Sequence, residues 1–433
     1  MTAPVATRQL QNMLRDCRAR TLELVVDLAP DQLLGPQLDI VNPLLWEIGH
    51  LAWFHEHFAL RRLEGRNSLL PDADALYDSS AVPHDDRWTL PLPSLDRTLD
   101  YMRSVQDALL GRLAGPTASE DESYLYQLVT FHEDMHDEAF IYTRQTLGYP
   151  EPKLVDSGSP VDDTAGPWPG DVHVPGGSFK LGSARNARFV FDNEKWAHPV
   201  AVRPFRISRA PVTNAEFAAF VEGGGYRQRK FWGDEGWRWR ESVRAEHPLY
   251  WQPEGRGFTV RRFERSEPLP PHQPVVHVNW YEASAWCRWA GRRLPTELEW
   301  EVAASTEPVA EDGLGERKRL YPWGDAPPGR GHANLEGGAL CCVDVAAYAA
   351  GDSAWGCRQM IGNVWEWTAS VFEPYPGFSP DAYQDYSEPW FGTRKVLRGG
   401  SWATRGRMIT NTYRNFFTPE RRDVFSGFRT ATL

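Results

Sequence analysis

Along the first 150 residues, apolar positions recur at the three-to-four-residue spacing of helices that bury one face. In "YLYQLVTFHEDMHDEAFIYTRQTLGYP" the stripe runs through Leu125, Leu128, Val129, His132, His136, Ala139 and Phe140, and stop signals follow at Gly148 and Pro150. A second stripe, "NPLLWEIGHLAWFHEHFALRRLEG", spans Asn42 to Gly65, with Asn42 as its expected cap and Pro43 in its first turn. Further helices are expected near Arg8 to Leu28 and Leu95 to Leu113, which together predict an antiparallel four-helix bundle. The connection "LYDSSAVPHDDRWTLPLPS" is long enough to suggest a functional loop.

Beyond Gly148 the pattern changes. A segment rich in Pro, Gly and Asp runs to Gly170, and short β-like runs follow, such as "VHVPGGSFKLGS", "HPVAVRPFRIS" and "KVLRGGSW". Two helical patterns interrupt them, "TNAEFAAFVEGGG" and "WYEASAWCRWAG". The expected organisation is therefore a helical bundle over 1–150, a linker over 151–170 and an α+β domain over 171–433.

Composition adds exclusions. A chain of 433 residues can hold two or three domains, and 41% hydrophobic with 24% charged residues is ordinary for a globular protein. With 47 basic against 58 acidic residues the net charge is −11, which offers no footprint for nucleic acid. No signal peptide is evident and no run approaches the ~20 apolar residues of a membrane span, so a cytoplasmic protein without a membrane partner is expected. Cys17, Cys287, Cys341, Cys342 and Cys357 lack metal-site spacing and read as reduced thiols.

The chemistry centres on His132, Glu133 and His136, which spell H-E-x-x-H. Residues four apart share a helical face, so both imidazoles can address one metal. Both lie on the apolar stripe, whereas Glu133 is phased with Tyr126, Thr130 and Asp134 on the other side, away from any metal-bound water. The peptidase continuation H-x-x-G-x-x-H also fails, because Ala139 and Tyr142 stand at its glycine and histidine positions. Hydrogen-bonded core histidines are the plain alternative, and a zinc hydrolase a further one. A third ligand from a facing helix would decide. His50, set among Leu45, Trp46, Ala52, Trp53 and Phe54, is expected inside the bundle; His55 and His57 flank Glu56 where the helix turns polar.

The blocks "VPGGSFKLGS", "FDNEKWAHPVAV", "APVTNAEFAAFV", "QPVVHVNWYEASAWCRWAGRRLPTELEWEVAA", "YPWGD", "GNVWEWT", "VLRGGSW" and "GFRTA" resemble the formylglycine-generating-enzyme (sulfatase-modifying-factor) fold, a C-type-lectin-like α+β domain. Enzymes with that activity carry a cysteine pair shortly after the block matching Arg398-Gly399-Gly400-Ser401-Trp402; here no cysteine follows Cys357, so the fold is expected without that chemistry. A DinB-like bundle bearing "GH" and "HxxxH" joined to such a domain resembles the ergothioneine-type sulfoxide synthases and their selenium-using relatives, the selenoneine synthases. The resemblance implies a non-haem iron(II), O2-dependent oxidoreductase, with His50, His132 and His136 as ligands in the bundle and hercynine plus a chalcogen donor as small-molecule substrates. Three imidazoles on an octahedral iron leave three positions for acceptor, donor and dioxygen.

Two departures from the mycobacterial-type ergothioneine synthases bear on the substrates. Met135 stands where they have glutamine before the last ligand, and Arg414-Asn415-Phe416-Phe417 where they read R-N-W-D. Loss of that acid removes a partner for an amino-acid donor's ammonium. A selenosugar donor is therefore favoured over gamma-glutamylcysteine or cysteine, the sulfur donors of the alternative C–S bond-forming reading. Phe416, Phe417 and Trp402 are candidates for an aromatic wall against the trimethylammonium group of hercynine, with core packing as their default role. Arg87 is a candidate for gripping an anionic donor or orienting the loop, with a surface arginine of no role as the alternative; the resemblance also implies a proton-donating tyrosine, for which Tyr375, Tyr383 and Tyr386 are the candidates and Tyr375 the choice. A non-catalytic ligand-binding module is the alternative of another class.

Overall fold

The structure is a computed structural model that describes residues 4–433 except 114, 116–117, 156, 158–163, 188 and 310–312. It divides into two compact units: Met1–Val155 with Arg185–Val190 and Pro380–Tyr386, and Asp156–Ala184 with Phe191–Ser379 and Ser387–Leu433. Two late segments thus belong to the first unit, which a single boundary near 150 does not anticipate. Within the expected linker, 156 and 158–163 lie outside the described residues.

The first unit is built on four long helices: α1 (Thr7–Val25), α2 (Leu44–His55), α3 (Leu95–Arg112) and α4 (Glu120–Leu147). A capping box between Ser119 and Glu122 starts α4, and Gly148 stops it in the left-handed region at φ 67°. Asn42 is not the cap of α2; its side chain accepts from Arg87 Nη1 at 2.7 Å, and Pro43 precedes the first turn without a side-chain cap. Past His55 the helix widens into a π-turn, Glu56–Arg61, whose buried Glu56 accepts from Ser68 Oγ at 2.7 Å. Such insertions re-aim the side chains around them.

Helix α4 packs against α1 and against α2, so it is covered on two faces. The side of the helix opposite the histidine stripe is therefore covered too, with Tyr126, Thr130 and Glu133 buried. A stripe identifies one covered face; it does not show that the other is wet.

The second unit opens with β1 (Asp171–Val174), β2 (Gly177–Leu181), β3 (His198–Val202) and β4 (Phe205–Ser208), followed by α5 (Asn214–Glu222) and α6 (Asp234–Val243). Next come α7 (Trp280–Trp289) and α8 (Glu297–Ser305), then β5 (Trp365–Val371), β6 (Lys395–Arg398), β7 (Asn415–Phe417) and β8 (Ser426–Gly427). The last four form one sheet in the order β7-β6-β5-β8. Helices α6 and α8 escape the sequence pattern because α6 carries Trp and Arg rather than an apolar stripe, and α8 is nine residues long, set by a Thr296–Glu299 capping box. Trp300, Val302, Phe179 and Ile207 anchor the core. Beside it, buried ion pairs join Arg398 to Glu301, Arg414 to Glu297 and Arg429 to Glu366. All five cysteines are buried and none is in a disulfide. Among the described residues, no helix is long and apolar enough to cross a membrane.

Candidate metal centre

His50 on α2 and His132 and His136 on α4 converge in the first unit, with one ligand atom from each lying within 4.8 Å of the others. Ring centroids are 5.2 Å apart for His50 and His132, 5.1 Å for His50 and His136, and 4.6 Å for His132 and His136. Each ring is held differently. The Tyr77 carbonyl accepts from His50 Nδ1 at 2.8 Å, and the His50 ring stacks on Trp46 with centroids 4.9 Å apart. Gly49 makes this possible: a Cβ there would stand 2.2 Å from the Tyr77 ring, so only glycine lets Tyr77 close down over α2. Glu47 Oε1 accepts from His136 Nδ1 at 3.0 Å. His132 lies flat on Phe54 with centroids 3.4 Å apart, and its Nδ1 is buried without a hydrogen bond.

Burial, then the neighbouring imidazoles, holds His50 and His132 well below the usual histidine range, so both are neutral with a lone pair to give. Convergent nitrogens, together with outer partners on His50 and His136, fit a divalent metal better than a closed hydrogen-bonded core. Carboxylate-free nitrogen ligation suits first-row metals such as iron or zinc.

A second cluster, Cys17, His55 and Glu133, also has its ligand atoms within 4.8 Å. It does not fit a cation. Glu133 already accepts from Arg18 Nε at 2.8 Å, Arg18 Nη2 at 3.1 Å and Thr21 Oγ1 at 2.7 Å, and the guanidinium fills the place of a metal. His55, expected where the helix turns polar, is instead buried with Nε2 2.9 Å from Glu133 Oε2. Burial pushes the Glu133 carboxyl up, but Arg18 and His55 together override it and hold it well below the usual carboxylate range.

Arg87 stacks over Trp46 at 4.0 Å and donates to Asn42 Oδ1 and the Ser79 and Val82 carbonyls, which places it behind His50 and organises the loop. The Tyr386 hydroxyl donates to Met135 Sδ at 3.7 Å. Tyr383, carried into this unit by Pro380–Tyr386, packs edge-on to Phe54 at 5.0 Å and to His132 at 6.0 Å. Tyr375 belongs to the second unit's buried charges, under Arg414 at 4.1 Å with its hydroxyl 3.5 Å from Glu297. Tyr383, rather than Tyr375, is therefore the tyrosine packed on the histidines. Insertions in "FEPYPGFSPDAYQDYSEPWFG" hid this from the sequence.

The aromatic wall also changes. Phe416 and Phe417 are successive residues of β7, paired with Val396 and Lys395 of β6, so they point to opposite faces. Phe416 stacks on Phe372 at 4.0 Å, and Phe417 lies under the Arg421 guanidinium at 5.2 Å. Asn415 shares the Phe417 face, and its Oδ1 accepts from the Phe416 amide at 2.8 Å. Trp402 is a core residue packed on Phe425 at 4.6 Å. Glu47 and Tyr77 went unnoticed in the sequence, and Gly49 was read only as part of the G-H pair; the one available signal for Glu47 was its three-residue spacing from His50 on one helical face.

Comparison with known proteins places these units in context. The DinB superfamily matches residues 13–139, and the sulfatase-modifying factor enzyme 1-like domain matches 157–432. The chain is similar to the hercynine oxygenase of Mycolicibacterium thermoresistibile, at 41% identity over 98% of this chain and 94% of that protein. It is similar at 39% to the hercynine oxygenase of Mycolicibacterium smegmatis, over 99% of both chains. The formylglycine-generating enzyme of Streptomyces coelicolor is 35% identical over 60% of this chain and 88% of its own.

Proposed function

Because the chain belongs to the hercynine oxygenase family and is an oxygen-dependent oxidoreductase, we propose that it joins a selenosugar's selenium to C2 of the hercynine imidazole, using iron(II) held by His50, His132 and His136. Family membership sets aside the non-catalytic module and the zinc hydrolase. The observation that carries the site is the trio itself, three imidazoles from two helices with ligand atoms within 4.8 Å and no carboxylate among them. When held by these three residues, iron(II) would supply the activation of dioxygen.

The chain's own residues supply orientation and protons. Burial pushes the Tyr383 phenol up to about 12, so it keeps its proton at neutral pH and can donate it beside His132. Met135, under the Tyr386 hydroxyl, offers a polarisable thioether where the mycobacterial pattern has an amide. The selenium preference is supported by the sequence: Phe417 stands where the mycobacterial pattern has an acid, and neighbouring Asp423 is already held by Arg421 at 2.7 Å through both oxygens. Without that acid a donor's free ammonium would lose its counter-charge on binding, whereas a selenosugar has no ammonium to desolvate. A cysteine-type thiol donor is the second reading, favoured by the likeness to mycobacterial relatives.

The test is anaerobic reconstitution with Fe(II), exposure to oxygen with hercynine and each donor, and product mass. A C–Se product with higher kcat/KM for the selenosugar supports the reading. Faster turnover of gamma-glutamylcysteine sinks the selenium assignment alone; no hercynine product with any donor sinks the whole.

A further inference from the structure

We propose that Glu47 is the positioning residue of His136: its carboxylate holds the Nδ1–H tautomer, aims Nε2 at the metal and puts a negative charge behind that ligand. The inference rests on the iron reading above and extends it to the shell around the ligands. Glu47 and His50 lie three apart on α2, so one helical face supplies both a ligand and the support of a ligand on α4. The Glu47 side chain is 3% exposed, with Oε1 3.0 Å from His136 Nδ1. Asn42 Nδ2 reaches Oε1 at 3.5 Å, and Oε2 is buried without a hydrogen bond. Arg87 acts on it only at a distance and makes no ion pair with it: the Nη atoms donate to Asn42, Ser79 and Val82, and Nε is buried without a hydrogen bond.

As a device for stability this arrangement is poor. A buried carboxylate with an orphan oxygen costs more than an apolar side chain of the same volume. It makes sense once a dication sits beyond His136, because the carboxylate then offsets that charge through the imidazole. The other two ligands lack such backing: His50 Nδ1 meets the neutral Tyr77 carbonyl, and His132 Nδ1 meets nothing among the described residues. The three imidazoles are thus graded in donor strength, with His136 the strongest.

The experiment compares the full-length wild type with Glu47→Gln and Glu47→Leu. Co(II) binding is followed by visible absorption, and the His136 tautomer of the metal-free protein by long-range 15N–1H correlation. Removing such a partner weakens metal binding by roughly 10- to 100-fold, with Gln at the low end and Leu at the high end. Glu47→Gln should keep the Nδ1–H tautomer, since its amide oxygen still accepts; Glu47→Leu should lose it. Melting temperatures at or above wild type would separate this from a structural role, which lowers stability and affinity together. Both variants binding Co(II) within about threefold of wild type would overturn the proposal, as would an unchanged tautomer in Glu47→Leu. If Glu47→Leu fails to fold, Glu47→Gln alone decides through its affinity. A wild type that takes up neither Co(II) nor Fe(II) would overturn the iron reading first, and is told apart because it is seen before any variant is compared.

Discussion

Glu133→Gln separates two views of the H-E-x-x-H motif. In a metallopeptidase the glutamate is the general base, and its amide should abolish turnover with little effect on stability. Here Glu133 is fully buried and receives both the Arg18 contacts, at 2.8 and 3.1 Å, and the Thr21 hydroxyl at 2.7 Å. The amide keeps the shape and one accepting oxygen but turns an NH2 toward donors, so Arg18 keeps the Met102 carbonyl, 2.9 Å away, and loses the charge and one of its two contacts to residue 133. Breaking a buried pair from one side costs about 3–5 kcal/mol. With a urea slope of about 2 kcal/mol/M, the low end moves the midpoint of the helical unit down by about 1.5 M. The assay is a urea titration at pH 7 by far-ultraviolet circular dichroism, beside turnover per iron-loaded molecule, which should stay within about tenfold of wild type. Arg18→Met with Glu133→Leu should recover at least half of the lost stability, because the unpaired charge goes with its partner. The folded-state carboxyl is depressed, so the pair's contribution is complete above the unfolded value of about 4.3 and fades as pH falls through the folded one. An unmoved midpoint, within about 0.3 M, together with lost turnover would refute this reasoning and return Glu133 to the chemistry.

Other residues give sharper contrasts. Gly49→Ala puts a methyl 2.2 Å from the Tyr77 ring and should cost about 1–3 kcal/mol in a melt while weakening Co(II) binding, since Tyr77 must withdraw its carbonyl from His50. Tyr383→Phe should keep the fold and lower kcat by roughly 100-fold or more in steady-state assays, whereas Tyr375→Phe should leave kcat near wild type. Phe417→Asp should shift the ratio of kcat/KM toward gamma-glutamylcysteine by about tenfold, measured with both donors in one reaction. His50→Ala should lose stoichiometric iron by metal analysis while circular dichroism reports an intact bundle.

Periodicity alone determined the helical unit and the inward pair His132 and His136, because a 3.6-residue stripe is a local consequence of burying one face. The burial of His50 was also legible, from its apolar neighbours on a second stripe. The sheet-rich unit was legible as short runs and motif blocks, but not helix α6, whose Trp and Arg side chains give no stripe. What the sequence left undecided is what depends on a second surface. Phase turned Glu133 from the histidines but could not show that it meets Arg18 of α1 and a buried His55, since phase says which residues point together and not what they meet. Tyr383 joins the histidines only because Pro380–Tyr386 folds with a unit more than 200 residues earlier in the chain. Phe416 and Phe417 are separated by strand pairing, which alternates faces once β6 fixes the register. Contacts set by chain return and register are long-range, and a linear pattern carries only the short-range half of the free energy that places them.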